Sequence, residues 1–255
     1  MIKENIQTAL IFEDDADWDV MIKEQLYEFA KGTQALQNFD APSYSPPSSP
    51  YGDDWDILWT GHCAAWNSRN EDGPYYVIPN DPTVPPLSRV DGGAPNRSPP
   101  ALSGNRTRLI FKSNGGRCTA SYALSLRGAH TLVYAQSMTY AYTIDRALSR
   151  MCGDKSLPFS CLQPFPALIG AFKDAGDTSR DSDRVNTGGT IREVAETSNI
   201  AYPVRLNVRG LITGQKTIKP QWPEGGDWPE ILKDELRIPE GHLELVKKDQ
   251  FVVQS

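Results

Sequence analysis

Four acids in five positions, Glu13, Asp14, Asp15 and Asp17, follow directly on the apolar run Thr8 to Phe12, TALIF. Hard carboxylate oxygens gathered at the carboxyl end of a strand suit a divalent cation such as Mg or Mn. Glu13 and Asp15, as alternate residues, can point the same way, and an ion held there would neutralise an anionic group. The same acids also serve as caps that favour the positive end of a following helix, which needs no metal. The residues alone leave both readings open. A calcium-binding loop is excluded, although Glu13, Asp15, Asp17 and Asp19 alternate and Glu24 is the twelfth residue counted from Glu13. Trp18 stands where that loop requires Gly, and the preceding segment reads as a strand. His62 is the second chemical candidate: it follows the apolar run Ile57 to Trp59 through Thr60 and Gly61. From there it can face the same cleft as a ligand or acid-base group, or serve as a satisfied structural histidine. His130 and His242 read as structural or exposed. No GxSxG, HExxH or GxGxxG occurs, so triad hydrolase, zinc protease and dinucleotide readings have no local support.

The elements that must position these groups follow from periodicity. TALIF reads as a buried parallel strand. Trp18, Met21, Ile22, Leu26, Phe29 and Ala30 share one helical face, which predicts an amphipathic helix over 18–30 with Asp17 as N-cap and Gly32 as stop. A polar, proline-rich stretch, 40–54, leads to the second strand at Ile57 to Trp59, and strand, helix, loop, strand implies a parallel pair. Twelve of the 20 prolines lie between Pro42 and Pro100. Residues 67–106 therefore read as a long excursion loop with one short strand around Tyr75 to Ile78. Order returns with a strand at 119–125 (TASYALS), then a helical face of Ala129, Leu132, Val133 and Gln136, and then a short helix at 144–151. Phe159 to Phe172 reads as buried and extended at its edges. Beyond Asp174 the chain is polar apart from the island 199–212 (NIAYPVRLNVRGLI), and 213–255 reads as a polar extension.

With 255 residues the chain can bury a sizeable core. Lys plus Arg is 26 against 32 for Asp plus Glu, a net charge of −6, and no basic run interleaves with aromatics. A nucleic-acid or anionic-membrane partner is disfavoured. No window approaches the apolar length of a membrane span, and the first twenty residues lack a secretion-signal pattern. Cys63, Cys118, Cys152 and Cys161 match neither a metal knuckle nor a redox pair; four thiols allow three pairings, with Cys152 and Cys161 the nearest pair. Asn96 and Asn105 head sequons that matter only in a secretory compartment.

ALIFEDDADWD followed by YGDDWDILWTGHC resembles the fungal branch of glycosyltransferase family 25, related to lipooligosaccharide galactosyltransferases and collagen galactosyltransferases. The likeness continues in order through CTASYALSLRGAHTLVY, TIDRALSRMC, PALIGAFKDAGDTSRDSD and NIAYPVRLN, covering about residues 6–212. The resemblance implies an α/β, GT-A-like fold, with a mostly parallel sheet, flanking helices and long Pro-rich loops. It implies transfer of a hexose such as galactose from a nucleotide-sugar donor, a UDP-sugar, to a hydroxyl of a glycan or glycoprotein, assisted by Mn or Mg. Its DxD-like element maps onto Glu13, Asp14 and Asp15, with Glu13 and Asp15 as metal ligands and Asp14 and His62 on the donor side. Asp145, in TIDRALSRMC, matches an element on the acceptor side, where a carboxylate can take the hydroxyl proton; an ordinary helix-start charge explains it equally. Asp183, after Ser182, matches a late donor-side element and equally reads as part of a solvated charge run.

Family members place the uracil and ribose site on strand-helix units before the EDD element, whereas twelve residues precede Glu13 here. The resemblance therefore implies an N-terminally truncated domain, 1–212, with an exposed sheet edge and weakened donor binding. Full-length relatives would carry an anchor and reside in the Golgi or another secretory compartment. Two other classes compete: a catalytically silent carbohydrate-binding or scaffold remnant, and a glycoside hydrolase with paired carboxylates, which would need no metal-like cluster at a strand end.

Overall fold

A computed structural model describes residues 1–39, 46–66, 72–92, 97–103, 106–138, 142–181, 189–223 and 229–253. Its main strands are β1 (Thr8–Phe12), β2 (Ala16–Trp18), β3 (Ile57–Gly61), β4 (Gly73–Ile78), β5 (Arg108–Lys112), β6 (Ser121–Ser125), β7 (Cys161–Phe165), β8 (Ile169–Lys173), β9 (Glu196–Thr197) and β10 (His242–Val246). The helices are α1 (Ile22–Asn38), α2 (Leu126–Met138), α3 (Ile144–Gly153) and α4 (Val204–Ile212). Seven strands form the central sheet in the order β1-β6-β3-β7-β5-β4-β10, and β9, β8 and β2 form a smaller antiparallel sheet beside it.

The protein is mixed α/β, but the central sheet is mostly antiparallel, which corrects the expected parallel arrangement: only β3 and β7 pair in parallel. The connection β1-α1-β3 does return the chain in the same direction, as a crossover unit should. β6 then inserts between β1 and β3, antiparallel to both, with Leu124 opposite Ala9 on one side and Ile57 on the other. Local pattern specifies the crossover and cannot specify a later strand filling the gap. β1 is accordingly an edge strand and is not buried, with Leu10 50% and Phe12 45% exposed.

Alternation along β3 sorts its side chains between two cores. Leu58 packs with Phe29, Leu36, Tyr76 and Ile110 beneath α1, while Ile57 and Trp59 pack with Leu132, Leu148 and Met151 beneath α2 and α3. The helix expected over 18–30 lies over 22–38, because Trp18 belongs to β2 and Asp17 is buried elsewhere. Gly32 does not stop it: a Cβ there would stand 2.5 Å from Ile110 Cδ1 and 2.8 Å from Tyr76 Cδ1, so the glycine lets α1 lie close on the sheet.

Tyr75 to Ile78 is part of an interior strand, and Tyr75 and Val77 pack with Val90, Leu102, Leu109 and Phe165. The segment expected as a polar extension supplies β10, paired with β4 along its whole length. Disulfides join Cys152 to Cys161 and Cys63 to Cys118. Asn96 and Asn105, the asparagines of the two sequons, fall outside the described residues. Among the described residues no helix is long and apolar enough to cross a membrane.

Candidate functional site

β1 and β3 run in the same direction, and the chain leaving both ends lines one cleft of about 770 Å³. Glu13, Asp14, Asp15, His62 and Asp145 all border it. Asp183 lies outside the described residues, although Asp181, two positions earlier, is in the cleft wall. An adjoining hollow of about 670 Å³ shares Asp14, Asp15, Lys173 and Asp181.

Each group is held by backbone it could not choose locally. The Glu13 amide donates to the Ala120 carbonyl at 3.0 Å, and its Oε1 accepts from the Thr119 hydroxyl at 2.6 Å. Asp15 accepts the Phe172 amide on its carbonyl at 2.8 Å and the Lys173 ammonium on Oδ2 at 2.9 Å. Its Oδ1 is buried with no hydrogen-bond partner. Asp14 is exposed, and its carbonyl accepts from Arg205 Nη2 at 3.3 Å. Asp17 is a structural anchor and not a cap for α1: it is 2% exposed and accepts from the Thr197 hydroxyl at 2.8 Å and from the Arg205 amide.

His62 is buried one residue beyond β3, and Nε2 meets the Pro164 carbonyl at 2.6 Å. A carbonyl only accepts, so this contact assigns the ring proton to Nε2. Burial holds the pKa down to about 4, which keeps the imidazole neutral. The next residue, Cys63, is bonded to Cys118, adjacent to the Thr119 that holds Glu13, so the disulfide couples the two halves of the cleft. Asp145 stands in the first turn of α3, where the Thr143 hydroxyl donates to it.

Sequence reasoning passed over the opposite wall. Lys173 donates to the Asp181 carbonyl at 3.0 Å as well as to Asp15, and Arg192 pairs with Asp181 and with Glu196. Asp91, from the proline-rich excursion, reaches the cleft beside Ser198 and Asn199. Its own neighbours, Val90 and Gly92, carry no chemical pattern; PALIGAFKDAGDTSRDSD and NIAYPVRLN, quoted for the resemblance, contain Lys173, Asp181 and Asn199 of this wall, but none of the three is singled out.

Among the described residues, no three His, Cys, Asp or Glu side chains gather as a metal-holding group. Glu13 and Asp15 nonetheless fit a cation whose shell is completed by substrate: Mg-type ions are held by one or two carboxylates plus phosphate oxygens and water. The orphaned Oδ1 of Asp15 is the oxygen that such an ion would satisfy. No protein-family model matches the chain, and no curated protein matches it.

Proposed function

We propose that this chain is a glycosyltransferase domain, or part of one, that moves a hexose from a nucleotide-sugar to a hydroxyl acceptor. The observation that carries this reading is the convergence of Glu13, Asp14, Asp15, His62 and Asp145 on one cleft. The same-direction β1-α1-β3 unit supports a GT-A-like relationship, in which ligands sit beyond the carboxyl ends of strands. The two disulfides suit an oxidising secretory compartment.

Glu13 and Asp15 would hold a divalent ion that neutralises the donor's diphosphate as the glycosidic bond breaks. Thr119 and Ala120 fix Glu13, and Lys173 fixes one oxygen of Asp15 while adding a positive charge to the diphosphate side. His62, being neutral, orients by hydrogen bonding and adds no charge. Asp145 faces the acceptor from the start of α3.

A catalytically silent carbohydrate-binding or scaffold remnant is favoured by one observation: the Asp15–Lys173 ion pair already engages one of the ligand oxygens. Release of UDP from UDP-galactose and UDP-glucose with Mn, at millimolar donor, separates the two. Turnover that disappears in Asp15→Asn, with Asp14→Asn less affected, supports the transferase. Undiminished turnover in Asp15→Asn removes the metal assignment, and an inactive wild type leaves the silent remnant.

A further inference from the structure

The cleft holds a carboxylate whose surroundings differ from those of all the others. Asp91 enters from the segment between Val90 and Gly92, and Gly92 adopts φ +73° against the disulfide loop, where a Cβ would stand 2.5 Å from the Cys63 carbonyl oxygen. That close approach seats Asp91 over the cleft. Its amide donates to Asn199 Oδ1 at 2.8 Å, and Asn199 Nδ2 lies 3.5 Å from its Oδ2 and 3.4 Å from the His62 carbonyl. Asn199 is itself 2% exposed and holds a left-handed φ of 63°, so this bracket is built into the core. The Ser198 hydroxyl also bonds the Asp91 carboxylate and accepts the Ala171 amide at 3.1 Å.

Among the described residues the cleft's other carboxylates, apart from the exposed Asp14, are committed. Asp15 and Asp181 carry ion pairs, Glu196 meets Arg192, Glu13 holds Thr119, and Asp145 holds Thr143 at a helix start. Among the described residues Asp91 has only neutral donors, from Ser198 and Asn199. The charged groups that face it are Glu196 from β9 and Lys173 from β8, while His62 stays neutral. The residue as a whole is exposed, which leaves it open to a substrate, yet its carboxyl group is partly buried against the bracket. Desolvation there, with Glu196 adding to it, raises its pKa above the usual carboxylate value.

Resting on the transferase reading above, we propose that Asp91 is the proton acceptor for the incoming hydroxyl, bracketed in place by Ser198 and Asn199. The acceptor's O–H proton passes to an Asp91 carboxylate oxygen, and the hydroxyl oxygen's electron pair forms the bond to the anomeric carbon. The bond from that carbon to the diphosphate oxygen breaks with its pair on the diphosphate. A base with a raised pKa takes the proton more readily than a fully solvated carboxylate does.

The test is steady-state UDP release from UDP-galactose with Mn, water serving as acceptor, across pH. Asp91→Asn is expected to lower kcat about 100-fold or more, with the KM for donor little changed and the acid limb of the kcat profile lost. Ser198→Ala removes a hydrogen bond that stabilises the anion, so its acid limb should move to higher pH, a shift that a purely structural serine would not produce. Thermal unfolding and UDP-Mn calorimetry of both variants confirm that the fold and donor site persist. Wild-type turnover with Asp91→Asn retaining full kcat and the same acid limb overturns the inference while leaving the transferase standing. No turnover by the wild type overturns the transferase reading, and this inference with it.

Discussion

Arg108 Nε donates to Asp81 Oδ2 at 2.7 Å with their side chains 2% and 0% exposed, deep in the protein and away from the cleft. The guanidinium also donates to the Pro166 carbonyl at 2.8 Å, and Asp81 accepts the Thr83 amide at 2.8 Å. The pair is therefore fully satisfied, and its weak point is the loss of one partner. Asp81→Ala should cost about 3–5 kcal/mol in denaturant unfolding, because it strands a buried cation. Asp81→Asn, which keeps an acceptor, should cost less; a cost below about 1 kcal/mol for the alanine variant would show that Arg108 reaches water.

Two buried groups give stability opposing pH dependences. Burial raises Asp19 from 3.8 to about 7 and lowers His62 from 6.5 to about 4. Across that range unfolding releases a proton from Asp19, so its contribution to stability falls as pH rises, and unfolding lets His62 bind one, so its contribution rises. The wild type should change little between pH 4 and 6.5 and lose stability from there to about 7. Asp19→Asn should leave stability rising over that interval, and His62→Asn should leave it falling. Urea titrations at stepped pH read both slopes, and parallel profiles for the two variants would refute the assignment.

The disulfides should differ in strength. Cys63–Cys118 closes 55 residues and Cys152–Cys161 closes 9. Chain entropy alone makes the long loop worth about 4 kcal/mol and the short one about 3 kcal/mol. Pairwise Cys→Ser variants in guanidinium should follow that order. Only the Cys63 and Cys118 pair should also raise the donor KM, since Cys63 and Cys118 adjoin His62 and Thr119.

β1 carries no Pro, Lys or bulge to blunt its free edge, and Leu10 and Phe12 are half exposed on it. Such an edge invites pairing between chains. Leu10→Lys should lower association measured by light scattering at rising concentration without lowering the melting temperature. Equal scattering from the variant would place the contact elsewhere.

What was legible in the sequence was local. TALIF, ILW and SYALS are strands, α3 begins at Ile144 as read, Cys152 pairs with Cys161, and the acids after β1 do reach the same cleft as His62. The missed features are long-range. Nothing in SYALS says that it will sit between β1 and β3, nothing in HLELV says that it will extend a sheet through Gly73 to Ile78, and Cys63–Cys118 depends on where those strands lie. Asp17 reads as a cap because it precedes an apolar helical face, but its partners, Thr197 and Arg205, are supplied from the far end of the chain. Asp91 is silent for the same reason: its bracket is Ser198 and Asn199, and proline-rich flanks give no periodicity to mark it.

Glu28 in α1 shows what this wiring implies for how the protein forms. It is 5% exposed, and its Oε2 accepts from the Tyr76 hydroxyl at 3.0 Å and from the Gly241 amide at 2.9 Å, the latter 213 residues away. α1 can coil early from local propensity, with Lys31 meeting Glu28 Oε1 at 3.1 Å within the helix, yet Oε2 finds its partners only when β4 and the approach to β10 have arrived. With β1 also waiting for β6, the search is dominated by closing long loops before contacts reward them. Folding should be slow for a domain of this size, and until β10 docks the outer side of β4 and one buried acid stand open together.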